Sequence, residues 1–331
     1  MLDLKNFSNT NILITGGTGP FGISILKKLD ATKCPFNIFL LTRNKEKVEI
    51  LKNRFSKLNL FYIESELPFI NKSFINQLPK VDYVLHMASV SAKESYENID
   101  PLLKYRLLSE GTLDICNYAL KIKAKRLLFT SSGCVYGPNN NNEPLKEDRS
   151  LLVSNNTSKN NSLIIGKISA EYICNYFREF SELDTRIARC FSFCGEGIPV
   201  DLHYAIGNFA HQAINNKDIV IKGDGKSIRS YMDLDDLAFW LLNQLLRDFE
   251  SNIINTGSDE TISILELAEK IKFLANSNSR IKVLGGKNVS LSNPQRNFYI
   301  PDITRAKKEL NLTIKCKLND SVKKYLNSLY R

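Results

Sequence analysis

Asn11-Ile12-Leu13-Ile14-Thr15-Gly16-Gly17-Thr18-Gly19-Pro20-Phe21-Gly22 is the stretch that decides the fold. Its first five residues are a short apolar run that stops at a cluster of small residues. Directly beyond, residues 20–29 place Phe21, Ile25 and Leu29 at helical spacing. The order is therefore strand, tight turn, helix. Glycines at 16, 19 and 22 let a backbone approach closely, and the helix start offers free N–H groups and a positive dipole end to an anion.

The pattern repeats outward from there. FNIFLLT (36–42), NLFYI (59–63), VDYVLHM (81–87), RLLFTSS (126–132) and TRIARCF (185–191) read as strands, with helical stretches between them. Asp100 and Pro101 form an N-cap and first-turn pair for a helix through about 122, and 162–180 makes a second long helix. Near-continuous apolar strands alternating with helices imply a parallel sheet covered on both faces, a doubly wound α/β Rossmann sheet. After about residue 191 the order loosens. A loop and helix come first, then a strand, Gly-rich turn and strand through IVIKGDGKSIRSYMDL, and a helix at 263–275. The helix at 235–247 and the run at 252–257 are expected to return to the main sheet. This divides the chain into a dinucleotide-binding domain, 1–190 completed by about 231–258, and a smaller α/β lobe from 191–230 and 259–331.

Composition narrows the class. The chain has 331 residues, more than one core usually serves, and its 43% hydrophobic and 24% charged content is that of a soluble globular protein. Its formal net charge of +10 is spread along the chain rather than gathered with aromatics, which argues for an anionic small molecule and against nucleic acid. Seven cysteines are an odd number without CxxC spacing, and His86, His203 and His211 are scattered, so no disulfide framework and no metal site are expected. No apolar stretch reaches about 18 residues, and Asp3 and Lys5 interrupt any signal-like start, so we expect no membrane span and a cytoplasmic protein.

A glycine-rich turn in the first strand–helix connection of such a sheet suits the pyrophosphate of a dinucleotide. Which dinucleotide depends on the end of the second strand. An acid there would bind a ribose 2′-OH, whereas this chain has Thr42-Arg43-Asn44-Lys45. Arg43 therefore favours NADP over NAD, unless it is an ordinary solvated charge. Glu66 is a candidate for the adenine end or a surface acid.

Together with His86-Met87-Ala88-Ser89, Ser131-Ser132-Gly133-Cys134-Val135-Tyr136-Gly137 and Lys167-Ile168-Ser169-Ala170-Glu171, the chain resembles the extended short-chain dehydrogenase/reductases that modify nucleotide sugars. Its C-terminal half looks most like the UDP-glucuronate decarboxylase and dTDP-glucose 4,6-dehydratase branch. The motifs there are Gly207-Asn208-Phe209, Gly223-Asp224-Gly225-Lys226-Ser227-Ile228-Arg229-Ser230-Tyr231, Asn293-Pro294-Gln295-Arg296 and Pro301-Asp302-Ile303. The resemblance implies that Gly16, Gly19, Pro20, Phe21 and Gly22 hold the pyrophosphate, and that Ala88 and Ser89 line the cofactor. By the same resemblance Asn208, Arg229 and Arg296 hold the substrate's diphosphate, which fits the planar fork of arginine donors. It further implies a homodimer through the helices at 100–122 and 162–180. Asp235 and Asp236 are read as caps of the helix that starts there, Tyr136 as packing and His86 as satisfied burial.

The family's chemistry uses a Tyr to move the proton of the reacting hydroxyl, a Ser or Thr on the same oxygen, and a Lys four residues after the Tyr. Ser132 and Lys167 occupy their positions, but Leu163 stands where the Tyr belongs. Leu108 and Ser192 replace two family asparagines, and Gly133 and Cys134 replace the acid pair of the dehydratases. Cys134 and Lys167 are candidate stand-in proton carriers, or a small filler and a ribose ligand only. The leading expectation is NAD(P)-dependent oxidoreduction or epimerisation at C4 of a nucleotide sugar in surface polysaccharide precursor synthesis. A catalytically silent dinucleotide- and sugar-nucleotide-binding protein is the second reading, and a decarboxylase or dehydratase the third.

Overall fold

The computed structural model describes residues 3–69, 72–89, 100–139, 141–151, 159–200, 204–285 and 297–330. Six strands appear in the first part of the chain: β1 (Asn11–Thr15), β2 (Asn37–Thr42), β3 (Asn59–Glu64), β4 (Tyr83–His86), β5 (Arg126–Ser132) and β6 (Thr185–Cys190). With β11 (Ile253–Thr256) they form one parallel sheet in the order β3-β2-β1-β4-β5-β6-β11. The order reverses beside β1, so its C-terminal end and that of β4 border the crevice where such sheets take ligands. Alternate residues of each strand feed two apolar layers. Ile12, Ile14, Leu128 and Ala188 pack on one face, and Leu13, Leu127, Phe129 and Ile187 on the other.

Helices α1 (Pro20–Asp30), α2 (Lys45–Arg54), α3 (Pro101–Lys121) and α4 (Lys159–Phe180) flank the strands, and α3 packs lengthwise on α4. Asp100 caps α3 as the sequence implies, its carboxylate accepting from the Leu102 N–H at 2.9 Å. The chain continues through β7 (Phe193–Cys194), α5 (Ala205–Ile214), β8 (Ile219–Ile221), β9 (Ile228–Ser230), β10 (Met232–Asp233) and α6 (Leu234–Leu246). Beyond β11 follow β12 (Thr261–Ser263), α7 (Ile264–Leu274), β13 (Ile281–Val283), β14 (Phe298–Tyr299), α8 (Thr304–Leu310) and α9 (Leu318–Leu329).

Residues 219–234 form a strand, Gly-rich turn and strand as expected, with β8 pairing with β13 and β9 lying between β12 and β14. Gly225, at φ +78°, turns the chain so that its carbonyl accepts from the Leu265 N–H at 3.0 Å, which carries β9 toward the start of α7. One local expectation needs correction: the cap of α6 is Asp233, which accepts from Asp235 N–H at 2.8 Å. Asp235 instead pairs with Lys27 at 2.8 Å, and Asp236 accepts the Lys315 and Cys316 N–H groups at 2.9 Å each, tying the later chain to α6.

Candidate functional site

The glycine turn is built by close contact between backbones. Gly16 has φ +72°, and a Cβ there would lie 2.9 Å from the Met87 carbonyl at the end of β4. A Cβ on Gly22 would lie 2.2 Å from the Gly17 carbonyl oxygen, so the start of α1 presses on the turn itself. Gly19 differs: the nearest atom to its Cβ would be Gly16 O at 3.5 Å, and no other atom of the described residues comes within 4 Å. Gly19 also caps α1 without a side-chain hydrogen bond, followed by Pro20, Phe21 and Gly22 in the first turn. A bare backbone facing open space at a helix start fits a pyrophosphate.

Thr15 organises the floor beside this turn. Its Oγ1 accepts the Met87 and Ala88 N–H groups at 3.1 and 3.0 Å, and lies 2.7 Å from His86 Nδ1. The Thr15 hydroxyl proton therefore goes to Nδ1, which leaves the imidazole proton on Nε2. From Nε2 it is donated to Thr112 Oγ1 at 3.1 Å, whose own proton goes to Leu108 O at 2.5 Å. Burial, reinforced by the nearby Lys167 charge, pushes His86 down to about 3. His86 is thus a neutral structural link that, through Thr15, fixes Met87 and Ala88, and its burial is satisfied by hydrogen bonds, as expected.

A pH dependence follows. A histidine depressed when folded but ordinary when unfolded contributes stability that is complete above about 6.5 and is lost as pH falls toward about 3. Between pH 7 and 5 this loss amounts to about 2 kcal/mol. The unfolding free energy of His86→Gln should fall less over that interval by about this amount; parallel pH profiles for the parent and variant would contradict the assignment.

Arg43 and Glu66, singled out separately in the sequence, meet at the ends of β2 and β3 with Arg43 Nη1 to Glu66 Oε1 at 2.8 Å. Both are more than half exposed, so the pair adds little stability, but it sets a carboxylate against the cation.

Ser132 ends β5, and its Oγ accepts from the Cys134 N–H at 3.2 Å. Lys167, on α4, is buried with its Nζ donating to Thr130 O at 2.7 Å and lying 4.7 Å from the Phe129 ring centre. Burial lowers its ammonium to about 8, while interaction with Cys134, the largest opposing influence, raises it. Lys167, Ser132 and Cys134 are therefore brought to one corner. Leu163 stands half-buried one turn before Lys167, and a Cβ on Gly166 would lie 2.8 Å from Leu108 Cδ1. Leu108 thus packs in the α3–α4 contact beside Gly166.

On the other side of Ser132 stands a group that sequence reasoning missed. A Cβ on Gly133 would lie 2.6 Å from the Tyr299 hydroxyl and 2.9 Å from the Phe191 ring edge. Tyr299 packs on Phe191 at 4.8 Å between centres, and the Arg229 guanidinium lies 5.9 Å from the Tyr299 ring centre. The parallel register of β14 on β9 sets Tyr299 opposite Arg229. Asn208 stands half-buried on α5, while Arg296 lies outside the described residues.

Behind the site, Arg189 and Glu171 form an ion pair in which each side chain is 4% exposed. Arg189 Nη2 reaches Glu171 Oε2 at 2.7 Å, Nε reaches Oε1 at 3.1 Å, and Nη1 donates to Glu147 O at 3.1 Å. Its guanidinium lies over Tyr136, whose hydroxyl donates to Asn255 Oδ1 at 2.7 Å. Burial works against the Arg189 charge, but the Glu171 carboxylate more than offsets it. Tyr136 is thereby a packing residue, as expected. Among the described residues no cluster of His, Cys, Asp and Glu is placed to hold a metal, and no helix is long and apolar enough to cross a membrane.

Comparison with known proteins places the chain in a family and agrees with its fold. The model of the NAD dependent epimerase/dehydratase family matches residues 12–257. UDP-glucuronic acid decarboxylase 1 of Arabidopsis thaliana is 27% identical over 319 residues, covering 94% of this chain and 68% of that protein. Among solved structures, UDP-glucose 4-epimerase of Thermotoga maritima superposes with a TM-score of 0.82 at 20% identity, covering 97% of this chain and 98% of the other. UDP-glucuronic acid 4-epimerase of Bacillus cereus, in complex with UDP-glucuronic acid and NAD, gives 0.79 at 19% identity, covering 97% and 99%.

Proposed function

Because the chain belongs to the NAD dependent epimerase/dehydratase family, we propose that it is a working enzyme that oxidises a nucleotide sugar at C4, in an oxidoreduction or epimerisation supplying surface polysaccharide precursors. The observation that carries this reading is the corner where Lys167 and Ser132 stand, at the same C-terminal end of the sheet as a glycine turn whose Gly19 faces open space among the described residues. A bound nicotinamide dinucleotide would supply hydride acceptance. Gly16, Gly19 and Gly22 with Pro20 and Phe21 would hold its pyrophosphate, Ala88 and Ser89 would line it, and Lys167 would donate to its ribose with N–H groups beyond the one given to Thr130 O. Ser132 would hold the reacting sugar oxygen, and Asn208, Arg229 and Arg296 the diphosphate.

The dinucleotide we favour is NAD(H). Arg43 alone would welcome the 2′-phosphate of NADP, but Glu66 at 2.8 Å offsets that charge and would repel the phosphate. The relative named as a decarboxylase keeps decarboxylation in view, and dehydration is the neighbouring chemistry, although Gly133 and Cys134 bring no carboxylate to the turn. Leu163 supports a second reading, a silent sugar-nucleotide-binding protein. We further infer a cytoplasmic homodimer through α3 and α4, whose exposed Leu102, Leu103, Tyr172, Tyr176 and Phe180 offer an apolar face.

The test begins with the dinucleotide that co-purifies, identified by mass spectrometry, with light scattering on the same sample reporting the mass. Nicotinamide fluorescence is then followed as UDP-, dTDP-, CDP- and GDP-sugars are added. Fluorescence is expected to rise with one of them, and Arg229→Ala to weaken that sugar nucleotide about 10–100-fold through a lost charged hydrogen bond. Binding without any redox change, across a panel that includes 4-keto sugars, would leave the silent reading standing.

A further inference from the structure

We propose that Tyr299 supplies the proton-carrying phenol that α4 lacks at Leu163, its hydroxyl lying at the Ser132–Cys134 turn where the reacting sugar oxygen is held. The inference rests on the enzymatic reading above. Its basis is the space left by Gly133: any Cβ there would fall 2.6 Å from the Tyr299 oxygen, so the bare glycine admits the phenol to the residue next to Ser132. Of the other groups around this corner, Lys167 Nζ gives one N–H to Thr130 O and serves the ribose with the rest, and the Tyr136 hydroxyl donates to Asn255.

The electrostatics are suitable. The Arg229 guanidinium lies 5.9 Å from the Tyr299 ring centre, so a fixed positive charge stands near the phenol and favours negative charge on it. When the carbinol is oxidised, its C–H bond breaks with the electron pair going to the nicotinamide, the oxidant. Its O–H bond breaks with the proton going to the ionised Tyr299 oxygen, and a C=O bond forms. In the reverse step Tyr299 returns the proton as hydride returns to carbon. Phe191, stacked on Tyr299, fixes the ring for this transfer.

The experiment compares the parent and Tyr299→Phe, which keeps the ring and its packing. The tyrosine ring carbons are labelled with carbon-13, and the resonance absent from the variant is assigned to Tyr299. This resonance should move further when the reactive sugar nucleotide is added than with UDP alone, whose diphosphate already meets Arg229. Tyr299→Phe should reduce the bound dinucleotide about 10²–10⁴-fold more slowly, the usual worth of a general base, while binding UDP within threefold of the parent. A Tyr299 resonance indifferent to the sugar, or a variant that reduces the dinucleotide as fast as the parent, overturns the proposal. A resonance that moves in a parent that reduces nothing overturns the enzymatic reading, and proton transfer with it. Gly133→Ala provides a second approach, since its methyl group should displace the phenol and slow reduction likewise.

Discussion

Arg189→Met is expected to lower the unfolding free energy by about 3–5 kcal/mol, the cost of leaving one member of a buried ion pair alone. The physical reason is Glu171. With Arg189 removed, its carboxylate stays 4% exposed, deprived of its hydrogen bonds to the guanidinium, and must either protonate or draw water into the layer beneath α4. The double variant Arg189→Met/Glu171→Met should recover most of that loss, because two apolar side chains can occupy the same volume without an orphaned charge. Urea titration of the three proteins decides the matter. If the double variant is as unstable as the single one, the cost lies in the packing around Tyr136 or in the bond to Glu147 O rather than in the uncompensated buried charge of Glu171. Glu171 is one turn beyond Lys167 on α4, so the single variant should also impair the corner where Lys167 stands.

Gly22→Ala and Gly19→Ala form the second pair, and they are expected to differ. At Gly22 the added methyl falls 2.2 Å from a backbone oxygen that cannot swing aside, so the turn must open. We expect a loss of about 3 kcal/mol in stability and of measurable dinucleotide binding. At Gly19 the methyl meets only Gly16 O at 3.5 Å, an ordinary contact. The melting temperature should stay within a few degrees of the parent, while dinucleotide affinity falls at least tenfold, because the methyl occupies the space a pyrophosphate would take. Calorimetric titration with NAD measures both. Unchanged affinity in Gly19→Ala would show that no pyrophosphate approaches that backbone.

What could be read in the sequence was local. The strand, turn and helix at 11–29 depend on neighbours within a few residues, as does the Asp100 cap, and both are where they were expected. The family motifs located Ser132 and Lys167, because a motif carries its own spacing. The meeting of Arg43 and Glu66 was not legible, since it needs the β2–β3 register to align Thr42 with Glu64. Tyr299 was hidden for the same reason: it lies 166 positions from Gly133, and only the pairing of β14 on β9 and the bare glycine bring them together. Asp233, rather than Asp235 or Asp236, caps α6 because β10 runs straight into the helix, and three acids in four positions give the sequence no means to choose.

The sheet order has a consequence for biosynthesis. Among the described residues β11 pairs only with β6, yet residues 191–252 must be made between them. At roughly 5–20 residues per second, a nascent chain would carry β6 with its outer edge unpaired for about 3–12 s. Such an edge invites pairing with another chain. Arg186, on β6, puts positive charge beside that edge throughout the wait. Once β11 arrives, Arg186 Nη1 fastens the incoming segment by donating to Phe249 O and Ser251 O. The same arginine that guards the growing chain on the ribosome thereby closes the finished sheet.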